Sequence, residues 1–414
     1  MPEQQRPVAV IVDAWTCSHF LLDALTALGA DVVQVKSDPG LAPFSAGMQY
    51  LATVTGADPA VLADQLAAYA PIAVLAGQEP DVPLADALSE RLGLPSNGSA
   101  LSSARRDKYD MAAALARAGV RCAEQFKSAQ VDEVVAWADA RGQWPVVVKP
   151  LASAATDNVA ICAGPDQVRA AAEAILGTEM LWGEANVEVL VQSYLDGIEY
   201  VVDMVSLQGR RYSCGVWEYR KRQVGVHNIY DYELLLPADD PRVPELIDYV
   251  DSALRALGIA YGPSHAEVII TADGPALVEV GARLAGNLST TFHDHCLGAN
   301  QAALTALAYL RPREFEDRYA GRCYTALRQA WVCNTPTDLE GKVVGVNQEV
   351  LAEIQALPTV RELIVKLRPG WRMRPTVDLL SATLKVFLAA DSAAELQRDY
   401  QRIAELKDLA YQLE

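Results

Sequence analysis

Two acids and a base stand inside an apolar stretch, HAEVIITADGPALVEVGARLAGN, residues 265–287. Glu267 and Glu279 lie in runs that read as strands, and Arg283 follows four residues after the second acid. Between the runs, Ala272-Asp273-Gly274 is a turn signal. A three-residue loop over 272–274 pairs Thr271 with Pro275, and therefore Glu267 with Glu279. A two-residue Asp-Gly turn would set Glu267 across from Val280, with the acids on opposite faces. Gly274 supplies the left-handed residue that a three-residue loop wants at its end, so the first register is expected. Directly opposed residues have Cβ atoms about 4.5–5.5 Å apart, where like charges are destabilising. A divalent cation between the carboxylates reverses the sign, and Mg²⁺ favours one or two carboxylates plus phosphate oxygens and water. On a continuing strand Glu279, Gly281 and Arg283 share a face, with Gly281 leaving room and Arg283 pointing at the same anion. A solvated strand face, with Arg283 in a surface ion pair, is the competing reading.

An anion held there needs cations. Lys149 ends the strand-like WPVVVK, ahead of the small-residue loop PLASAATDN. Backbone N–H groups of such a loop can approach a phosphate, and Ser153 and Thr156 add hydroxyl donors. Lys108, in RRDKYDM, offers a second cation; taken singly, each lysine also reads as a solvated surface residue. In VLVQSYLDGIEY an apolar edge runs into a glycine turn and Glu199. Backbone groups of such an edge can read adenine, and the carboxylate can accept from ribose hydroxyls. WEYRKRQVGVHNIY carries Arg220 to Arg222 and His227, either a solvated charge run or a loop whose Lys221 or His227 meets phosphate or a substrate carboxylate. His265, two residues before Glu267 on its face, is a core histidine or points into the site. FHDHC, read as a strand, offers His293, Asp294 and His295 to zinc, but no further ligand cluster stands nearby and zinc is not expected.

Taken in order, the lysine of RRDKYDM, the lysine of VVVKP, the small-residue loop, VLVQSYLDGIEY and HAEVIITADGPALVEVGAR resemble the ATP-grasp superfamily over most of the chain. GPSHAEV and EVGARLAGN are most similar to its amino-acid ligases, which make peptides or other amides. The resemblance implies ATP and Mg²⁺ as cofactors. Lys108 and Lys149 would contact the α- and β-phosphates, with Ser153 and Thr156 in the loop above them. Gln192 stands where relatives carry an acid that accepts from adenine N6. Ser193, Tyr194 and Leu195 would supply backbone contacts to adenine, and Glu199 would bind the ribose. Glu267 and Glu279 would hold Mg²⁺, and Arg283 would stabilise phosphoryl transfer and the tetrahedral intermediate. Gly286 and Asn287 would line the substrate site with His265. Similar ligases often carry a bulkier residue at the position of Asn287, so a roomier or more polar pocket is expected. The chain departs from the pattern at Gly281, where many relatives have a metal-binding Asn, and at Ala155 and Asn158, where they favour Gly. The implied reaction activates a carboxylate as an acyl phosphate, which an amine then attacks. The substrates are an amino acid or small carboxylic acid and an amine. Two other readings are a carboxylase-type enzyme activating bicarbonate and a nucleotide-binding module without catalysis. Intact Lys149, Glu267, Glu279 and Arg283 argue against the module.

Something must hold these residues in place. At 414 residues the chain exceeds one ordinary core, so two to four domains or subdomains are expected. PVAVIVDA, SHFLLDALTALGA and DVVQVK make a β-α-β pattern that repeats through IAVLAG and PLADALSERLGLP, a parallel α/β domain over residues 1–98. A helix from about 103 to 118, capped by Ser102 or Ser103, leads into hairpin-spaced strands with helices at 166–176 and 242–257. This part reads as α+β with a mainly antiparallel sheet. The resemblance divides it into a small lid subdomain with its linker helix over 99–195, a large subdomain with the metal site over 196–319, and a C-terminal α+β subdomain over 320–414. A final helix is expected over 392–411. The formal net charge of −18 argues against nucleic acid as a partner. Seven scattered cysteines with no CxxC pair, no signal-length apolar region and no run of about 18 apolar residues predict a cytoplasmic protein off the membrane. The oligomeric state is open, with a homodimer as the candidate.

Overall fold

Short valine-rich runs between amphipathic helices open the chain, and both faces of the sheet they form are covered. The computed structural model describes residues 6–14, 17–38, 48–153, 158–179, 185–224, 227–379 and 381–414. Strands β1 (Val8–Val12), β2 (Asp31–Lys36), β3 (Ala52–Thr55) and β4 (Ala73–Ala76) pair in parallel in the order β3-β2-β1-β4. Helices Ser18–Ala27, Pro59–Ala67 and Val82–Arg91 follow the strands. β1 is buried along its whole length, which is why it reads as a continuous apolar run.

A second sheet joins β5 (Gln125–Ser128), β6 (Val146–Lys149), β7 (Ala160–Cys162) and β8 (Val189–Ser193) in the antiparallel order β5-β8-β6-β7. Its two faces differ. Val146, Val148, Val189 and Val191 pack against the helices Val131–Arg141 and Pro165–Ile175. The alternate residues, Val147, Lys149, Ile161 and Gln192, line a cavity.

The third sheet has eight strands: β9 (Gly197–Leu207), β10 (Arg210–Val224), β11 (His227–Leu235), β12 (Gly262–Thr271), β13 (Gly274–Gly281) and β14 (Gln329–Asn334), with β16 (Val360–Val365) and β18 (Leu384–Ala390). The order is β13-β12-β9-β10-β11-β14-β18-β16. Three strands from beyond residue 320 therefore extend the sheet that carries the acids, and the expected boundary at 319/320 falls within one sheet. Helix Arg242–Ala256 buries Val243, Leu246 and Val250 in the core behind it. A small sheet of β15 (Gly341–Val346), β17 (Arg372–Met373) and β19 (Tyr411–Leu413) closes the chain beside helix Ala393–Leu406, shorter than the 392–411 expected. Ser392 and Glu395 form its capping box, and a tighter turn takes over from Lys407. Among the described residues no helix is long and apolar enough to cross a membrane.

Two elements differ from the sequence reading in ways that matter for the site. The helix expected from 103 begins at Lys108, because Asp107 rather than a serine caps it, accepting from the N–H groups of Tyr109 and Asp110 at 2.8 and 2.9 Å. Residues 292–296 lie in the helix Thr290–Leu297, not in a strand. His293 Nδ1 sits 2.7 Å from the Ser289 carbonyl oxygen. Two residues apart on a helix, His293 and His295 point in different directions, so the expected His-x-His strand geometry for zinc does not exist.

Candidate active site

Glu267 and Glu279 are direct partners across β12 and β13, but not by the expected loop. The turn is two residues long, Ala272-Asp273, and Thr271 pairs with Gly274. That register alone would set Glu267 opposite Val278. A β-bulge places Val278 as the extra residue and advances the pairing by one, to Glu279. Gly274 takes the positive φ, +102°, just past the turn.

Both carboxylates line a cavity of about 430 Å³. Burial and the neighbouring Glu279 charge push the Glu267 carboxyl up. Burial acts on Glu279 as well, but there Lys108 outweighs it and holds the carboxyl low. Lys108 Nζ lies 2.6 Å from Glu279 Oε2 and donates to the Ser153 carbonyl oxygen at 2.7 Å. The lysine is buried, and the acids around it keep its ammonium charged despite that. A metal is thus not the sole cation near the pair. His265 also turns toward it, with Nδ1 2.7 Å from Asp203 Oδ1 and Nε2 3.7 Å from Glu267 Oε1. Burial would lower the imidazole, but Asp203 outweighs it and raises its pKa to about 10. For Lys149 burial and the Lys108 charge outweigh the pull of Glu279, Glu267 and Glu199, and its pKa drops to about 8.

β13 ends at Gly281, and Arg283 stands just beyond it. Its guanidinium folds back to Glu79 Oε2 at 3.0 Å and donates to the Leu284 carbonyl oxygen at 3.1 Å. A Cβ at Gly281 would lie 3.0 Å from the Arg283 Cζ and 3.2 Å from Glu79 Oε2, so the missing side chain is what admits this approach. Glu79 was not foreseen. It follows β4 at the carboxyl end of a parallel sheet, where such folds place ligands, and that position was the available signal.

At the other end, Glu199 binds Lys221 Nζ at 2.5 Å and the Tyr230 hydroxyl at 3.0 Å. Lys221 also lies 4.5 Å over the Tyr230 ring. Gln192 donates to Gln125 Oε1 at 3.1 Å. The Ser193 N–H donates to the Glu124 carbonyl oxygen at 2.8 Å, and Ser193, Tyr194 and Leu195 line the cavity. Gly286 faces open space where a Cβ would stand. The Asn287 amide donates to Glu233, and its Oδ1 is buried without a partner. Thr156 and the side chain of His227 lie outside the described residues.

Strand register explains how so many polar groups meet. His265 pairs with Asp203, Glu267 with Val201, and Tyr219 with Glu233. Asn334 pairs with Lys385. Alternation puts Glu199, Asp203, His265, Glu267, Glu279, Tyr219, Glu233, Asn334 and Lys385 on one face of the eight-stranded sheet. Glu233, Asn334, Lys366 and Lys385 were missed because each is a lone polar residue in a strand-like run.

The two carboxylates fit a divalent cation shared with a nucleotide. They are opposed and half-buried, and one is held above its usual range. Among the described residues no third acid, His or Cys completes a protein-only metal cluster. Two carboxylates are also what Mg²⁺ takes when phosphate oxygens and water fill its shell.

Comparison with known proteins agrees with this geometry. A family profile describing the ATP-grasp domain matches residues 142–291. The chain is 34% identical to dapdiamide A synthase of Enterobacter agglomerans over 412 residues, 98% of this chain and 96% of that one. It is similar to the crystal structure of an L-amino acid ligase from Bacillus licheniformis at TM-score 0.76 and 18% identity, covering 99% and 98% of the two chains. A phosphoribosylglycinamide synthetase from Anaerococcus prevotii matches at TM-score 0.67 and 11% identity, covering 99% and 100%. The chain belongs to the ATP-grasp family, in the branch of ligases that form C–N bonds between a carboxylate and an amine.

Proposed function

We propose that the protein uses ATP to activate the carboxylate of an amino acid and passes the acyl group to an amine, making a peptide or amide in specialised metabolism. The observation that carries this reading is the opposed pair Glu267 and Glu279 with Lys108, Lys149 and Arg283 around one cavity. The product of the full-length relative, dapdiamide A, is by name an amide, and that supports a C–N bond as the outcome. A carboxylate oxygen attacks the γ-phosphorus, the bond to the bridging oxygen breaks and ADP leaves. The amine nitrogen then attacks the acyl carbon, inorganic phosphate leaves and the nitrogen loses a proton.

Lys149 and Lys108 bind phosphate oxygens, with Ser153 beside them, and Thr156 is assigned to the phosphates from the sequence alone. Val147 and Ile161 cover adenine, Gln192, Ser193, Tyr194 and Leu195 read its edge, and Glu199 takes the ribose. Glu267 and Glu279 hold Mg²⁺, which when bound neutralises charge on the phosphates. Arg283 meets charge that develops on the transferring group and on the tetrahedral intermediate. His265, Gly286 and Asn287 border the substrate, Lys221, paired with Glu199, stands at the ribose end, and His227 is assigned to the substrate from the sequence alone. A cytoplasmic setting suits seven free cysteines.

Bicarbonate activation is the competing enzymatic reading, supported by fold alone. A biotin carboxylase domain of a Hydrogenobacter thermophilus 2-oxoglutarate carboxylase, solved with MgADP and bicarbonate, matches at 14% identity. Incubation with ATP, Mg²⁺ and pairs of amino acids, followed by ADP release and product mass, separates the two. Amino-acid-dependent ADP release is expected. Release dependent on bicarbonate instead would overturn the ligase reading. Arg283→Ala is expected to abolish ADP formation while ATP still binds, and near-normal turnover would remove the role given to Arg283.

A further inference from the structure

Beyond the nucleotide residues the cavity runs to a polar end formed by the last strands of the sheet, where Asn334, Lys366 and Lys385 line it. Asn334 is 2% exposed, and neither its Nδ2 nor its Oδ1 has a hydrogen-bond partner. Lys385 is its direct partner across β14 and β18. Ile364 pairs with Lys385 from β16, and Lys366, two residues on, returns to the same side. The Lys366 ammonium donates to the Leu379 carbonyl oxygen. Neither lysine forms an ion pair among the described residues. Burial lowers both, Lys366 to about 8 with help from the charge on Lys385. Glu233 attracts Lys385, but it is bound to Asn287 and burial pushes its own carboxyl up, which weakens that charge. Two ammonium groups in no ion pair, with Glu233, Glu362 and Asp378 acting on them only at longer range, form with an unsatisfied amide a cradle with donors to spare, and its complement is a compact anion.

Resting on the ligase reading, we propose that Asn334, Lys366 and Lys385 bind a carboxylate of an amino-acid substrate other than the one ATP activates. The activated carboxylate has to meet the γ-phosphate beside Lys108 and Lys149. An amino acid that supplies the amine keeps its own carboxylate, and that group needs a cationic seat away from the phosphates. The Asn334 amide donates to one oxygen, and the lysines neutralise the charge. The same chemistry has two sources: the α-carboxylate of the amine donor, or a second carboxylate on the acid.

The test uses Lys385→Met, Lys366→Met and Asn334→Leu in the full chain. Each of the twenty L-amino acids and its carboxamide is offered as amine donor in the ADP-release assay. The wild type is expected to favour free acids over carboxamides by roughly tenfold or more in KM. Lys385→Met is expected to erase that preference, with KM for the free acid up roughly 10- to 100-fold and kcat within a few-fold. A rise confined to the KM of the acid substrate assigns the carboxylate to the acid and keeps the subsite. Unchanged KM values for both substrates in all three variants overturn it. Thermal shift with the same acids and carboxamides needs no turnover and separates this proposal from the ligase reading. Carboxylate-dependent stabilisation that Lys385→Met removes supports the subsite even if no pair releases ADP, and its absence in the wild type counts against the subsite. Methionine relieves a buried ammonium at similar length, so these variants are expected to fold at least as well as the wild type.

Discussion

At the scale of single residues, two positions make the electrostatics of the site testable. Gly281 lets Arg283 fold back onto Glu79, and an added Cβ would press on both at 3.0 and 3.2 Å. Gly281→Ala should therefore displace the guanidinium with little harm to the fold. Misplacement by about 1 Å costs roughly 100-fold in rate, so kcat should fall by one to two orders of magnitude while the melting temperature stays close to wild type. Equal kcat would show that the approach of Arg283 to Glu79 is irrelevant to turnover. Glu233 supplies a pH signature. Burial raises its pKa to about 7, so the folded state binds a proton that the unfolded state releases near the ordinary carboxylate range. Its favourable contribution is complete below that range and is lost as pH rises toward 7. Glu233→Gln removes the penalty. The stability of the variant relative to wild type should climb between about pH 4.5 and 7, by at most about 1.4 kcal/mol per pH unit, and then level off. Urea unfolding at a series of pH values measures it, and a flat difference would mean that Glu233 is solvated in the folded protein.

Among the elements, the segment between the first domain and the rest is pinned rather than loose. Arg105 is fully buried, and its guanidinium meets Asp86 at 2.5 Å, the carbonyl oxygens of Asn97 and Gly98, and that of Leu257 at 3.1 Å. Asn97 in turn accepts from the N–H groups of Ala260 and Tyr261, both at 2.8 Å. One side chain thus ties helix Val82–Arg91 to the end of helix Arg242–Ala256. Arg105→Ala strands a buried carboxylate, at a cost of about 3–5 kcal/mol. Adding Asp86→Ala should recover part of that loss, and strict additivity in the double variant would deny the coupling. The chain itself announced some elements and hid others. The hairpin could be read because its two strands adjoin, and WPVVVKP and VLVQSYL could be read as strands from their β-branched runs. The bulge at Val278 could not, since a turn of two residues plus an extra residue further on gives the same pairing as a turn of three. Asp107 was passed over as a cap because the sequence reading starts the helix after Ser102 or Ser103, ahead of its true first residue, Lys108. Glu233, Asn334 and Lys385 meet only through the order β11-β14-β18, and pairing between strands dozens of residues apart leaves no periodic trace in a single chain.

For the whole molecule the governing contrast is between a net charge of −18 and a cluster of cations at one cavity. Lys108, Lys149, Arg283, Lys366 and Lys385 all line one cavity. They arrive from the four-stranded antiparallel sheet, from the eight-stranded sheet and the residues just past its strands, and from the helix that begins at Lys108, and Glu79, just after β4, reaches Arg283. A nucleotide in the cavity would therefore contact separate parts of the fold at once, and its binding energy would add directly to global stability. At a hundredfold excess over Kd that addition is about 2.7 kcal/mol. ADP with Mg²⁺ should raise the melting temperature by several degrees. ADP with a chelator should raise it much less, because the phosphates then face Glu267 and Glu279 with only Lys108, Lys149 and Arg283 to offset the repulsion. The double variant Glu267→Gln, Glu279→Gln removes both the repulsion and the metal ligands, so its shift should be the same with or without Mg²⁺. A wild-type shift that ignores the chelator would place the phosphates away from the paired carboxylates and remove the metal site from this cavity.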